Sequence, residues 1–305
     1  MSKVVDKILE IVSDLKEMPG GAYNIRVNGE SVGRASSENI RIVGKPEGKG
    51  LEIYVNDGTK DELVHIPVVM DHSGQQELVY NDFHIGADCD IKIVAGCGIH
   101  NDGSHLTQHD GIHSFNVGRR SSVKYVEKHY GEGNGSGERV LNPVTKVFLE
   151  EGSYLEMETV QIEGVDSTDR TTEAVLKDEA RLVIKEKLMT SKTQKAVTRF
   201  NVEMNGENCS ANLISRSVAK GNSKQYFYSV MNGNNQCAGH SECDAIIMDQ
   251  GYVKAVPDVT ANHVDASLIH EAAIGKIAGE QIIKLMTLGM TEEEAEQKIV
   301  EGFLR

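Results

Sequence analysis

From residue 117 onward one pattern recurs: an apolar residue, a polar turn of three or four residues, then a run of alternating apolar and polar side chains. VGRRSSVKYVEK, FLEEGSYLEMETV, VLKDEARLVIKEK, VEMNGENCSANLI and IMDQGYVKAVP are its copies. Taking Val123, Leu155, Leu182 and Cys209 as equivalent gives steps of 32, 27 and 27 residues. Alternation with period two marks half-buried strands, and each period holds more than one of them with no helical spacing between. Periods of roughly 20–50 residues signal stacked architectures. Strands repeated without crossover helices point to a mainly β chain built as a solenoid, with a β-sandwich as the rival arrangement.

The same texture starts at Tyr23, where IRIVG, LEIYV, HIPVVM, ELVY and IKIVAG each read as a strand bounded by Gly, Asn or Asp. Ahead of it, residues 2–17 read as an amphipathic helix. Ser2 is its N-cap, Val4, Val5, Ile8, Val12 and Leu15 lie on one side, and Pro19-Gly20-Gly21 stops it. At the other end, the apolar spacing lengthens after Glu271 to that of a helix, through Ile277, Ile282, Ile283, Leu285, Met286 and Leu288 to a C′ residue at Gly289. Thr291 and Glu294 then make a capping box for a second helix through Ile299, Val300, Phe303 and Leu304. The expected division is an N-terminal helical segment (1–35), a β core (36–271) and a C-terminal helical hairpin (272–305). Helices at both ends are expected to cover the open edges of the stacked sheets.

Charge and cysteine usage narrow the setting. A net charge of −14 opposes binding to DNA, RNA or an anionic membrane surface, which need clustered Lys and Arg. No apolar run approaches the roughly 18 residues of a spanning helix, and no signal peptide precedes the first helix. Five scattered cysteines (89, 97, 209, 237 and 243) are not a disulfide framework and fit a reducing, cytoplasmic setting.

Three stretches carry residues that could do chemistry. CGIHNDGSHLTQHDGIHSF places Cys97, His100, His105, His109 and His113 within seventeen positions. The four-residue spacing of the last three would align on a helix, but Gly103 and Asp110-Gly111 make a helix unlikely there. Read as loop plus strand, His113, Phe115 and Val117 share an inward face; the plain reading is polar turns and satisfied core imidazoles, the sharper one metal contact. In YVEKHYGEG, Glu127 and His129 share a face with Val123 and Tyr125, as a structural pair or a proton relay. GEGNGSGE lacks the GK(S/T) ending of a phosphate loop and reads as a flexible turn. Near the C-terminus, Cys243 opens the strand CDAIIM and Glu271 follows 28 residues later, about one period, which in a stack can bring the two within contact. Cys237 and His240 lie just before, in a Gly/Asn-rich stretch read as a loop.

ECDAIIM, SLIHEAAIGKIAGEQ and LGMTEEEAEQKIVEGFL together resemble the C-terminal region of the SufB/SufD proteins, scaffold subunits of the SUF system for iron–sulfur cluster assembly. Weaker similarity covers most of the chain. The resemblance implies a right-handed parallel β-helix core, which agrees with the repeat. By motif position Cys243 matches the SufB cysteine and Glu271 the SufB glutamate implicated in building the cluster, while His270 matches the histidine contributed by SufD. Neighbouring strand residues point to opposite faces, so His270 and Glu271 cannot both face one cluster unless the strand has ended. Cys237 and His240 are second-rank candidate ligands. The resemblance further implies an assembly scaffold rather than an enzyme, a transient iron–sulfur cluster with flavin left open, and docking of a SufC-type ABC ATPase on the C-terminal helices. Sulfur donor and acceptor proteins would complete the partners. Residues 1–88 lack the N-terminal cysteine motif of long SufB proteins, so the likeness is to a compact member. A stable cluster usually has four thiolate ligands; one chain offers Cys243 and at most one nearby thiol, which favours a homodimer sharing the site about its two-fold axis. The alternative is a metal-dependent β-solenoid enzyme using the His100–His113 cluster.

Overall fold

A computed structural model describes residues 2–305. After helix α1 (Lys3–Ser13) come twenty strands and then helices α2 (Gly279–Met286) and α3 (Glu292–Phe303). Along the solenoid the chain passes alternately between two sheets of ten strands each, making about eight turns. The first sheet runs through β1 (Ala22–Val27), β5 (Lys60–Met70), β7 (Asp90–His100), β9 (Ser122–Glu132), β12 (Tyr154–Glu163), β14 (Arg181–Thr190), β16 (Cys209–Ala219), β18 (Cys237–Ile247) and β20 (Ala266–Gly275). The second holds β4 (Gly50–Val55), β6 (Gln76–Ile85), β8 (Thr107–Val117), the broken pair β10 (Arg139–Leu141) and β11 (Val144–Leu149), β13 (Ser167–Leu176), β15 (Lys195–Met204), β17 (Lys224–Gly233) and β19 (Tyr252–Ala261). All of these stack in parallel; the antiparallel pairs are β1 with β2 (Glu30–Ala35) and β3 (Ile40–Gly44) with β4, at the N-terminal end.

Alternation in the sequence becomes alternation in burial. Along β9 the inward residues Val123, Tyr125, Glu127 and His129 are buried while their neighbours face out. Inward side chains stack coil upon coil, so Ile93, Tyr125, Met157, Ile184 and Leu213 form one apolar column. Val123, Leu155 and Leu182 are equivalent as expected, but the next member is Ala211 and not Cys209. One residue is added between β14 and β15 and a second between β15 and the first ladder pair of β16, Arg181 with Ser210, so the shift of two keeps the face and moves the partner.

The helix ends differ from expectation in two ways. Ser2 caps α1, its Oγ accepting from the Val5 amide at 3.2 Å. The helix stops at Ser13 rather than 17, because Asp14 adopts φ 58° and its amide closes on Glu10 O. That helix lies on the outer face of the first sheet, packing Val5, Ile8, Leu9 and Val12 against Ile25 and Val69, and so does not cover a sheet edge. At the other end α2 has no buried residue, and β19 and β20 end their sheets without a further strand among the described residues. The edges expected to be covered by helices are thus left open at the C-terminal end. The second hairpin helix is as read, with both halves of the Thr291–Glu294 capping box formed.

The glycine-rich stretch after β9 is not a free turn. Gly135 and Gly137 donate to Asn101 O and Gly103 O of the coil below, and a Cβ at either would collide with that backbone. Glycine is needed there for close approach of two backbones rather than for flexibility.

Candidate functional site

The first sheet carries an inward column of a different character. Ala95, Glu127, Thr159, Glu186, Ser215, Cys243 and Ala272 are successive ladder partners from β7 to β20. Five consecutive members, Glu127 to Cys243, are polar or thiol-bearing and all are buried. A charge inside a dry core must be paired, and the opposite sheet supplies the partner. Arg170 of β13 donates to Glu127 Oε2 at 2.5 Å and lies 3.9 Å from Glu186. Thr198 and Ser215 donate to Glu186 at 2.8 and 2.7 Å. Burial opposes ionisation of Glu127, yet Arg170 and then His129 hold its carboxyl well below the usual carboxylate range.

Cys243 is the last thiol on this column. It is 1% exposed, and burial, then the Glu186 and Asp244 carboxylates, push the thiol up to about 12. Above it along the solenoid axis only Ala272 intervenes before the open end. The neighbouring column ends with Ser241 and His270. The Nδ1 of His270 is buried without a hydrogen-bond partner, and burial lowers its basicity. Cys243 on β18 and His270 on β20 therefore share the inner face of the first sheet at its C-terminal end.

Glu271 does not join them. Strand β20 continues through His270 and Glu271 to Gly275, so the two residues face opposite ways. Glu271 stacks on Glu242 on the outer face, 67% exposed, with its carboxylate 3.5 Å from His240 Nε2. The His240 Nδ1 is 3.1 Å from Asn212 Oδ1. Cys237 and His240 belong to β18 and not to a loop; β18 begins at Cys237, six residues before the position read as its start. Cys237 points inward and His240 outward. The five candidate residues thus form an inner set (Cys237, Cys243, His270) and an outer pair (His240, Glu271) separated by the thickness of one sheet. Among the described residues no group of three or more Cys, His, Asp and Glu side chains converges on one point.

A second polar centre lies in the N-terminal half of the solenoid and borders the first at Glu127. Cys97 of β7 is the ladder partner of His129, and His109 faces it from β8. Burial would raise the Cys97 thiol, but His109 and then His129 outweigh it and bring it down to about 7. Burial likewise opposes protonation of His109, yet Cys97 and Glu77 raise it to about 10. A cavity of about 10 Å³, room for one water, is lined by Cys97, His109, His113, Glu127 and His129. His113 stacks on Asn81 and contacts Tyr125 Oη at 2.8 Å, so it is a satisfied core imidazole. His105 lies in the exposed loop before β8, and His100 pairs with Asp102 at 2.8 Å at the surface. The histidines of this block do not gather as three ligands on one face. Arg170 and Glu186 were missed in the sequence; charged residues at inward positions of an alternating run were the available signal.

A family model described as "SUF system FeS cluster assembly, SufBD core domain" matches residues 171–303. An iron–sulfur cluster assembly SufBD family protein of Methanocaldococcus jannaschii is 26% identical over 272 residues, 88% of this chain and 85% of the relative. One from Pyrococcus horikoshii is 25% identical over 286 residues, 92% and 86% of the two chains. One from Archaeoglobus fulgidus is 25% identical over 231 residues, 75% of this chain but 61% of the longer relative.

Proposed function

We propose that this chain is a member of the SufBD family of iron–sulfur cluster assembly proteins, and a scaffold on which a cluster is built transiently at the open C-terminal end of the solenoid. The observation that carries this reading is the position of Cys243: the last thiol of a buried polar column, one small side chain from an uncapped end. A thiol held near pKa 12 is a poor spontaneous nucleophile but a good latent ligand, since iron binding itself displaces the proton. His270 would serve beside it from the inner face. Glu271 and His240 would act on the outer face, as weak oxygen and nitrogen ligands for iron on its way in. Weak ligation suits a scaffold that must release its product.

The same opening supports a homodimer. Unpaired strands with exposed Val259, Ile269 and Ile274 are an edge that soluble proteins cover. A second copy related by a two-fold axis would cover it and bring the two sets of ligands together. An ABC-type ATPase of the SufC kind would dock on the α2–α3 hairpin, where Ile283 (62% exposed) and Leu288 (74%) have no core of their own. ATP hydrolysis belongs to that partner, because this chain has no phosphate loop; sulfur donor and acceptor proteins complete the cycle. No helix among the described residues is long and apolar enough to cross a membrane, and the scaffold is expected to work in the cytoplasm. The test is anaerobic reconstitution with iron and sulfide, read by absorption and Mössbauer spectra. Wild type should assemble a cluster and Cys243→Ala should not; equal assembly by both would overturn the reading.

A further inference from the structure

Cys209 and Cys237 are direct ladder partners on β16 and β18, both buried, both inward and both free. Their thiols are close enough to perturb each other, each raised chiefly by burial, that of Cys209 to about 11. Parallel neighbours lie roughly 4.8 Å apart. That exceeds the Cβ separation of about 3.5–4.5 Å that an unstrained disulfide needs. Two inward thiols stacked at that spacing and in contact with each other can both turn toward one metal ion, with bonds of about 2.3 Å each.

The surroundings are soft. A Cβ at Gly233 would lie 3.1 Å from Cys237 Sγ, and one at Gly239 would collide with Met231 Cε and lie 3.3 Å from Met204 Sδ. Two glycines on facing strands therefore leave the space into which one thiol and the thioethers project. Zinc and iron sites need further imidazole, carboxylate or thiolate donors, and His240 faces the opposite side of the sheet. Thiolate and thioether donors together select Cu(I). Access runs from the open end, where Ala266 stacks on Cys237 and Leu268 packs beside it.

We propose that Cys209 and Cys237 form a two-thiolate site for a thiophilic monovalent cation of the Cu(I) type, with Met204 as a third donor. This removes Cys237 from the Cys243 ligand set and does not depend on the assembly role proposed above. Binding is Cu⁺ + 2 R–SH → [R–S–Cu–S–R]⁻ + 2 H⁺: two S–H bonds break, two S–Cu bonds form, and no oxidation state changes. With both thiols protonated in the free protein, apparent affinity rises about 100-fold per pH unit.

The test is anaerobic titration of the full chain with Cu(I) against a chromophoric Cu(I) chelator, followed by alkylation of the denatured protein and mass spectrometry. One equivalent should bind tightly and protect Cys209 and Cys237 from alkylation. Cys209→Ser and Cys237→Ser should each lose at least about 100-fold in affinity, Met204→Leu less, and Cys97→Ser and Cys243→Ser nothing. Cys209→Ala provides a second variant should the serine disturb the core, with circular dichroism to verify folding. Protection spread evenly over all five cysteines, or undiminished binding by folded Cys209→Ser and Cys237→Ser, would overturn the site. Because Cys243→Ser keeps this copper site while losing cluster assembly, failure of one proposal leaves the other intact.

Discussion

Cys243 and Glu271 lie on adjacent strands of one sheet but on opposite faces of it, Cys243 stacked on Ala272 inside and Glu271 on Glu242 outside. They cannot bind one metal ion within a chain, so their substitutions should fail differently. Cys243→Ser should lower cluster formation by roughly tenfold or more while leaving fold and dimer unchanged. Glu271→Gln should slow iron loading yet leave the alkylation rate of Cys243 as in wild type. Stopped-flow iron uptake beside thiol labelling checks this; a Glu271→Gln change in labelling rate would mean that the two faces communicate.

If the open end is a two-fold interface, a charge on its exposed apolar positions should dissociate it. Ile269→Glu and Val259→Glu are expected to run as monomers in analytical ultracentrifugation, with circular dichroism unchanged. Mixed dimers of Cys243→Ser and wild-type chains should then assemble well under half the wild-type amount. Half-activity would show each chain acting alone.

For the ATPase, Ile283→Asp should abolish co-purification with a SufC-type subunit. Its side chain is largely exposed, so stability should change by no more than about 0.5 kcal/mol. Phe303 is half-buried in the hairpin, which makes Phe303→Asp a poorer probe because it also disturbs α3. Full stoichiometric binding by Ile283→Asp would move the docking surface elsewhere.

The buried ion pair of Glu127 and Arg170 should dominate acid stability. Glu127→Gln leaves buried Arg170 with Glu186 alone, 3.9 Å away, and should destabilise by about 3 kcal/mol at neutral pH. Lys187→Ala, which breaks an outer-face pair with Glu158, should cost about 0–1 kcal/mol. Glu127 has a folded pKa below its unfolded value, so its contribution is complete above about pH 4.3 and is lost as pH falls through the folded value. Wild-type stability in urea should therefore fall more steeply below about pH 5 than that of Glu127→Gln. Parallel acid limbs would mean the pair is weaker than its burial indicates.

Alternation and capping made the strands, the stack and the terminal helices legible without coordinates, because each is a local rule that the residues obey. What a local rule cannot supply is the step from coil to coil. A step of 28 residues would set Cys243 beside Glu271, whereas the actual step is 29, and one residue turns Glu271 from the inside to the outside. The extra residue hides in a turn of polar side chains that tolerate either length. The same arithmetic shifted Cys209 by two, which kept its face. Arg170 and Glu186 sit at inward positions of alternating runs, and what they pair with is set by the opposite sheet, which no local rule supplies. Residues 133–137 looked mobile because glycine serves both free turns and crowded ones.

A coil inside a stack is held by neighbours on both sides, while the coil of β19 and β20 has one. Unfolding of such an array begins by fraying from its ends, each end unit opening at a free energy set by a single interface. Amides of β20 should accordingly exchange with deuterium far faster than those of β14, and the lifetime of that last coil, rather than any hinge, would set how often solvent and iron meet the Cys243 thiol.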